Sequence, residues 1–210
     1  METEIKILSI DIGIINLGYV FATLKFNENN YTNKFKNNIG DISVIKCDRI
    51  DITNMKHFNT KFCDCKLEHE SCIPDYLDHF VQENTILFNS ADIILIERQP
   101  PVGITNVQDL LFIKFRSKVI LISPRSVHSY FNMSKDYDIR KVESELISKK
   151  YLDTFDKFNN NTRRHDMSDA MLMIIFYYKI YNEKLYKNTI KNEHCSFEQF
   201  RFTFLTQPMQ

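Results

Sequence analysis

The chain has 210 residues and a mass of 25.0 kDa, a length typical of one domain with a substantial core. Its 43% hydrophobic and 26% charged residues are typical of a globular protein and exclude a fibrous or disordered chain. The 27 basic and 27 acidic residues cancel, which excludes a polybasic chain, and no apolar run approaches the roughly 20 residues that span a bilayer, so we expect no membrane association.

The first part of the chain predicts three strands. Residues Ile5–Ile10 are rich in β-branched side chains, which suit a buried strand. A second such run, Tyr19–Leu24, follows a short segment with two glycines, so we expect the two strands to form an antiparallel hairpin. The Asn-rich segment 27–40 predicts a surface loop, and Ile42–Ile45 predicts a third strand of the same sheet.

The rest of the chain predicts helices that alternate with strands. The segment Asp92–Glu97 is apolar without alternation, which is typical of a central strand covered on both faces. Ile139, Val142 and Leu146 mark an amphipathic helix. The other predicted elements are a helix that begins at Pro74, a helix over Asn106–Lys114, a strand over Val119–Ile122 and an apolar helix over Ala170–Ile180. This order predicts an α/β domain that begins with an antiparallel hairpin.

Two acidic residues end predicted strands, and two more lie one turn apart on a predicted helix. Asp11 and Glu97 end strands, where the ligands of α/β proteins collect, and two carboxylates that repel each other there favour a bound cation. Asp166 and Asp169 share a helix face, with about 5–6 Å between their Cβ atoms, before an apolar run that must pack onto the sheet. Four oxygen ligands on rigid elements suit Mg²⁺ or Mn²⁺, and a pair of such ions supports attack of water on a phosphodiester. Either pair alone is explained better without a metal, because acids are common at strand ends and in the first turn of a helix.

The four acids lie within three short motifs. These are Ile10-Asp11-Ile12-Gly13 with Asn16 and Gly18, Ile96-Glu97-Arg98-Gln99, and His165-Asp166-Met167-Ser168-Asp169-Ala170. In this order they resemble the retroviral-integrase and RNase H superfamily, more narrowly the RuvC-type Holliday junction resolvases, and most closely the poxvirus resolvases. The resemblance implies an RNase H-like fold with a mixed five-stranded sheet flanked by helices over residues 1–182, followed by a C-terminal extension over 183–210.

The same resemblance implies a homodimeric, divalent-metal-dependent endonuclease that makes paired nicks in four-way DNA junctions. Asp11, Glu97, Asp166 and Asp169 would then be the catalytic, metal-binding carboxylates, which hold two Mg²⁺ or Mn²⁺ ions per active site. A poxvirus member would resolve branched or concatemeric replication intermediates in the host cytoplasm.

One position departs from the RuvC-type pattern. The family has a lysine at the end of Pro-x-x-Val-Lys, after the last strand, whereas this chain has His128 in Pro124-Arg125-Ser126-Val127-His128. A lysine charge is therefore missing at that position. Lys135, Arg140 and Lys141, which follow in the sequence, are the candidates to replace it.

Basic residues are concentrated in one part of the chain. The segment 113–150 has nine basic and four acidic residues, a net charge of +5, whereas 63–109 has two basic and nine acidic residues, a net charge of −7. Basic residues near the acids would contact DNA phosphates, which suits recognition of a branched shape, and a solvated helix surface is the alternative for each of them. The predicted nucleic-acid contacts are Lys114, Arg116, Arg125, Lys135, Arg140, Lys141, Arg163 and Arg164.

The cysteines raise the question of a second metal site. Five cysteines, an odd number, fit reduced thiols in a cytosolic compartment better than a disulfide framework. Cys63, Cys65, His69 and Cys72 could bind zinc, although their spacing is tighter than that of the usual zinc motifs. Reduced surface or interface thiols are the alternative.

Two other functions stay open from the sequence. The segment from Asp11 to Gly18 also resembles the first phosphate loop of the actin and sugar-kinase ATPases, which would make the chain an ATP-binding protein. Those proteins need two such lobes, and this sequence has no second glycine-rich loop. A non-catalytic module that binds DNA junctions, with the acids as remnants, is the other alternative.

Overall fold

The computed structural model describes residues 2–27, 41–54 and 72–190, which form a mixed five-stranded sheet with helices on both faces. The strands are β1 (Glu2–Asp11), β2 (Leu17–Asn27), β3 (Ile42–Ile50), β4 (Ile93–Glu97) and β5 (Val119–Ile122). The helices are α1 (Ile73–Glu83), α2 (Thr85–Ser90), α3 (Thr105–Lys114), α4 (Pro124–Tyr130), α5 (Tyr137–Leu152), α6 (Asp156–Asn159) and α7 (Arg164–Ile190), and a short 3₁₀ helix spans Ile52–Asn54. All five predicted strands are confirmed, and the first three are longer than their sequence patterns predict.

The strands lie in the order β3-β2-β1-β4-β5. The pairs β1–β2 and β2–β3 are antiparallel, which confirms the predicted hairpin, whereas β1–β4 and β4–β5 are parallel. Parallel neighbours need a connection that crosses the sheet, and α1, α2 and α3 lie in these connections. The strands β1 and β4 are therefore central, and their carboxyl ends lie side by side.

Alternation along the central strands decides which face each side chain occupies. On β1, Ile7 belongs to the apolar cluster under α7, whereas Ile10 belongs to the cluster under α1–α3. On β4, Leu95 belongs to the cluster under α7. Because side chains at even spacing share a face, Asp11 and Glu97 leave the sheet on the same side as α7.

The longest helix, α7, packs against β1 and β2. Its residues 170–178 are all buried, and burial on every side of a helix is typical of a core element. The predicted apolar helix is therefore confirmed. It begins earlier than predicted, at Arg164, and continues to Ile190, past the predicted end of the domain at residue 182. Residues 191–210 lie outside the described residues. Neither α7 nor any other helix in the described ranges combines the length and hydropathy needed to cross a membrane.

The helix α5 includes two buried serines on its inward side. Its predicted apolar residues Ile139, Val142 and Leu146 are each more than half exposed. Ser144 and Ser148 on the opposite side are completely buried. Apolar spacing correctly predicts a helix here but selects the exposed face. The buried face combines the two serines, hydrogen-bonded to α7, with Ile147 and Leu152, packed against the core.

Two short helices, α4 and α6, have no counterpart in the sequence prediction. They contain 7 and 4 residues, too few for a 3.6-residue periodicity to become distinct. Pro124 occupies the first position of α4, where its missing N–H group and fixed φ angle suit a helix start.

Candidate active site

Three acidic side chains from three separate elements line one cavity of about 270 Å³. Asp11 is the last residue of β1, Glu97 is the last residue of β4, and Asp169 lies in the second turn of α7. Tyr137 and Arg140 of α5 line the same cavity. The structure therefore brings together three of the four acids that the sequence singles out.

Strand register places Asp11 beside Glu97. Ile10 pairs with Ile96 in the parallel ladder between β1 and β4, so the residues that follow them are neighbours. Both carboxyl groups leave the same face of the sheet, and neither strand supplies a basic neighbour on that face at this point.

A glycine lets the first turn of α7 approach these strand ends. Gly18 pairs with Asp11 across the hairpin, and a Cβ atom at Gly18 would collide with the backbone carbonyl of Asp166. Only glycine fits where helix backbone lies directly on the strand. This close contact brings Asp169, one turn further along α7, to the other two acids.

Asp11 and Glu97 share a side-chain hydrogen bond. Burial, followed by the negative charges of Glu97 and Asp169, raises the pKa of Asp11 well above its ordinary value. Burial also raises the pKa of Glu97, although hydrogen bonds from Asp11 and Gln99 oppose this shift. The pair therefore holds a proton at a pH at which isolated carboxyl groups are ionised.

Gln99 fixes the carboxylate of Glu97. Its Nε2 donates to Glu97 Oε2 over 2.5 Å, and its backbone N–H donates to Gln108 Oε1 over 2.8 Å. Gln108 is buried on α3. These contacts tie the end of β4 to the helix that follows it, a role for Gln99 that the sequence motif alone does not reveal.

Asp169 has a neutral hydrogen-bond partner on α5. Ser144 Oγ donates to Asp169 Oδ1 over 2.5 Å. Burial raises the pKa of Asp169 to about 7, against the opposing effect of the Ser144 hydrogen bond. The negative charges of Glu97 and Asp166 add to the rise. Asp169 is therefore poised between its neutral and ionised forms near neutral pH.

The fourth acid, Asp166, lies close to the cavity but does not line it. Arg163 donates to both of its carboxylate oxygens, from Nε to Oδ2 over 3.1 Å and from Nη2 to Oδ1 over 3.4 Å. His165 Nε2 lies 3.3 Å from the same Oδ1. The structure thus pairs a predicted metal ligand with a predicted DNA contact.

Arg140 brings positive charge to the cavity. Its Nη1 donates to the backbone carbonyls of Ser134 over 3.2 Å and Lys135 over 3.1 Å, which hold the guanidinium in place. Burial lowers the pKa of His128, which lines the same cavity, and the charge of Arg140 lowers it further. His128 therefore stays neutral beside Arg140. Of the three candidates to replace the missing lysine, Arg140 is the one that lines the cavity.

Tyr137 is a cavity residue that the sequence does not single out. Its side chain is more than half exposed at the start of α5. Lys141 Nζ lies 3.9 Å from the centroid of its ring, and Arg140 Cζ lies 5.6 Å from it. An exposed aromatic ring with two cations beside an acidic cavity can stack on a base or a sugar. Tyrosine is too common in this chain for its position to have been informative.

Other predicted DNA contacts lie around the cavity. Arg125 is exposed and follows Pro124, which lines the cavity, and Lys135 is exposed in the segment between α4 and α5. Arg164 is half-exposed, with its Nε 3.6 Å from Glu145 Oε2.

Lys114 and Arg116 lie elsewhere. Both precede β5, whereas the cavity lies where the parallel strands end, so they occupy the opposite edge of the sheet. Lys114 Nζ donates to Asp78 Oδ1 over 2.7 Å, and the guanidinium of Arg116 lies 4.6 Å from the ring centroid of Phe112. The structure does not bring these two residues to the acids.

The possible zinc site falls mainly on other parts of the chain. Cys63, Cys65 and His69 lie outside the described residues. Cys72, which immediately precedes α1, forms no disulfide with another described cysteine. Zinc binding at these four residues stays a prediction.

The three cavity acids fit a hard divalent cation by the chemistry of their oxygen ligands. The raised pKa values of Asp11 and Asp169 reflect concentrated, partly buried negative charge, which a cation neutralises. Across residues 2–27, 41–54 and 72–190, no three His, Cys, Asp or Glu side chains are already arranged as a complete ligand set. The hydrogen bond between Asp11 and Glu97 is the contact that a cation would replace.

Solved structures of known proteins share this fold. The Fowlpox virus resolvase in complex with Holliday junction DNA is similar with a TM-score of 0.55 and 18% identity, over 84% of this chain and 98% of that one. The Fowlpox virus Holliday junction resolvase is similar with a TM-score of 0.50 and 19% identity, over 86% and 99%. Thermus thermophilus RuvC has a TM-score of 0.49 and 13% identity, over 87% and 98%. The two fowlpox structures show that this chain has the RNase H-like fold of the Holliday junction resolvases.

At the level of sequence, no protein-family model and no curated protein matches this chain. Identities of 18% and 19% establish the fold, whereas chemistry depends on the side chains in the cavity.

Proposed function

We propose that the chain is a metal-dependent endonuclease that resolves four-way DNA junctions. The observation that carries the proposal is the convergence of Asp11, Glu97 and Asp169 on one cavity that also contains Arg140. Burying mutually repelling acids is unfavourable, and such clusters are typical of sites at which a cation neutralises them. The fold supports the substrate class, since one of the similar fowlpox structures is a complex with Holliday junction DNA.

Asp11, Glu97 and Asp169 would hold Mg²⁺ or Mn²⁺ in this proposal, and a pair of ions would also engage Asp166. Bound ions of this kind supply a Lewis acid that activates water and neutralises charge on a phosphate. The acids bind a cation as carboxylates, so Asp11 and Asp169 release their protons on binding. For Asp166 to join the set, Arg163 must exchange its carboxylate for another anion, and a DNA phosphate is the natural one.

Arg140 would contact the phosphate next to the cleaved bond. Its Nη1 is engaged by two backbone carbonyls, which orient the guanidinium without neutralising its charge. Tyr137, beside it, would stack on the nucleotide. The proposed DNA path around the cavity continues over Arg125, Lys135, Lys141, Arg163 and Arg164. Lys114 and Arg116 would contact only DNA that extends to the opposite edge of the sheet.

The proposal includes two copies of the chain acting together. A homodimer would present two such cavities to a symmetric junction, which gives paired nicks. The similarity of the three motifs to those of poxvirus resolvases supports branched and concatemeric viral replication intermediates as substrates, with the host cytoplasm as the place of action.

Cleavage of a labelled four-way junction tests this function. The full chain is incubated with the junction, with and without Mg²⁺, beside a linear duplex of the same sequence. We expect nicks in the junction only, and only with metal. Asp11→Asn should retain junction binding and lose cleavage. Metal-independent binding with no cleavage by the parent protein would favour the non-catalytic module, and tight ATP binding would favour the ATP-binding alternative.

A further inference from the structure

The helix α5 buries two hydroxyl groups beside apolar side chains and exposes aliphatic side chains on its other face. Ser144 and Ser148, one turn apart on the same helix face, are completely buried against α7. Val142 and Leu146, on the other side, are 58% and 67% exposed. Ile147 and Leu152 on the Ser148 side of α5 pack against the core under α7, so apolar burial contributes to this orientation. The two buried hydroxyls need hydrogen bonds there, because burial of an unpaired hydroxyl is unfavourable.

Each buried serine has one partner on α7, and the two partners differ in kind. Ser144 Oγ donates to the carboxylate of Asp169 over 2.5 Å. Ser148 Oγ donates to the hydroxyl of Ser168 over 2.8 Å, and Ser168 in turn donates to the backbone carbonyl of Arg164. Both hydrogen bonds join α5 to α7, but that of Ser144 engages a carboxylate of the cavity.

A carboxylate held by a neutral donor keeps its negative charge for a cation. Asp169 is the cavity acid supplied by a helix, and the Asp side chain can rotate about its last bond unless one oxygen is held. The hydrogen bond from Ser144 holds Oδ1 and limits that rotation. An arginine in the same place would neutralise the charge, as Arg163 does at Asp166.

We infer that Ser144 is a positioning residue that orients the Asp169 carboxylate for divalent-metal binding. The inference rests on the proposed metal-dependent function. It gives α5 a further contribution to the site besides Tyr137 and Arg140. Ser144 would hold a metal ligand that α7 supplies. Removal of such a partner of a metal ligand lowers metal affinity by about 10- to 100-fold in comparable sites.

Metal binding by the full chain, without DNA, tests the inference. Titration with Mn²⁺ alone, followed by calorimetry or by the electron paramagnetic resonance of the free ion, compares Ser144→Ala with Ser148→Ala. Both variants remove one completely buried hydroxyl from the same face of α5, so a general loss of packing affects them alike. We expect the Mn²⁺ dissociation constant to rise about 10-fold or more in Ser144→Ala and to stay within about twofold of the parent in Ser148→Ala.

Cleavage gives the second readout. The Mg²⁺ concentration for half-maximal junction cleavage should rise in Ser144→Ala, while the rate at saturating Mg²⁺ and the metal-free junction affinity stay close to those of the parent. Should Ser144→Ala fail to fold, Ser144→Cys keeps the volume with a much weaker donor and should show the same loss of Mn²⁺ affinity.

The outcomes separate the inference from the proposed function. If the parent protein binds no Mn²⁺, or if Asp169→Asn binds it as well as the parent, the metal-dependent function itself is wrong. If the parent binds Mn²⁺ and Asp169→Asn does not, but the two serine variants bind it equally, then the function stands and the role of Ser144 is overturned.

Discussion

The two faces of the sheet bury different kinds of side chain. Under α1–α3, the strands pack against aliphatic and aromatic side chains such as Leu111, Phe80 and Phe88, and the two phenylalanine rings meet edge to face with centroids 5.6 Å apart. Under α7, the apolar run of the helix lies beside the cavity that contains Asp11 and Asp169. The first face contributes stability, whereas the second combines a core with a charged site.

This difference does not come from the strands themselves. Alternation supplies both faces of β4 with aliphatic side chains up to Glu97, and Ile7, Leu8 and Ile10 do the same on β1. The faces differ because α7 begins with an acidic turn that lies on Gly18, directly over the strand ends. On the α7 face, the site therefore takes the place of apolar core only at the ends of the strands. Substitutions on the two faces should accordingly have different effects, on stability for one face and on catalysis for the other.

The largest expected effect contrasts Asp169→Asn with Leu111→Ala. Loss of the carboxylate should lower the cleavage rate by about 10³-fold, because a cation loses a ligand where phosphate charge develops. Leu111, completely buried on the other face, should lose about 2–5 kcal/mol of unfolding free energy on truncation, because a cavity remains. Single-turnover cleavage and urea denaturation measure the two quantities. A folded Leu111→Ala protein that has lost Mn²⁺ binding would show that the faces are not separable.

The second effect is a pH dependence of the unfolding free energy, which arises from the sheet face that carries the cavity. The pKa of Asp169 is raised to about 7 in the folded protein from an ordinary value near 3.8, so the folded state binds more protons between these values. Metal-free stability contributed by this group is thus present at low pH and lost as pH rises towards and through 7, on the order of 4 kcal/mol.

Comparison with Asp169→Asn isolates this contribution. The pKa values of His128 and His165 are lowered by burial, which gives the opposite slope, so the parent alone is not diagnostic. The stability of Asp169→Asn relative to the parent should increase from pH 5 to pH 8 without metal, and added Mn²⁺ should stabilise the parent at pH 8. A constant difference across that range contradicts the buried, proton-binding state of Asp169.

The smallest effect distinguishes two arginines of the same basic segment. Arg140→Ala should lower junction cleavage by about 10- to 100-fold, the size expected when a charged hydrogen bond to a phosphate is lost. Arg116→Ala, at the opposite edge of the sheet, is the matched control and should change cleavage by about twofold or less. Equal losses in the two variants would mean that DNA covers both edges and that the cavity arginine has no special role.

Much of the site could be predicted because it follows from local patterns. Asp11 and Glu97 end strands whose apolar runs are readable, and their place in two motifs already indicated a shared site. The partners of these acids could not be predicted in the same way. Gln99 was visible as part of a motif, but its hydrogen bond to Glu97 depends on the path of the chain towards α3.

The predicted DNA contacts show the same limit. The basic segment was evident from charge alone, yet it passes from one edge of the sheet to the other, so Arg116 and Arg140 lie at different ends. Arg163 and Asp166 were assigned separate roles from their residue types, and the structure joins them in an ion pair. A charge pattern along the sequence does not show in which direction each segment crosses the sheet.

By itself, the sequence determined the five strands, the hairpin, the apolar helix α7 and the acids at the strand ends. These depend on the backbone periodicity of neighbouring residues, which any short segment displays. Only the tertiary structure decided that α5 buries Ser144 while exposing Leu146, and that Arg140 is the basic residue that lines the cavity. Those outcomes depend on how helices distant in sequence pack and form hydrogen bonds with one another, which the apolar pattern of a single helix does not show.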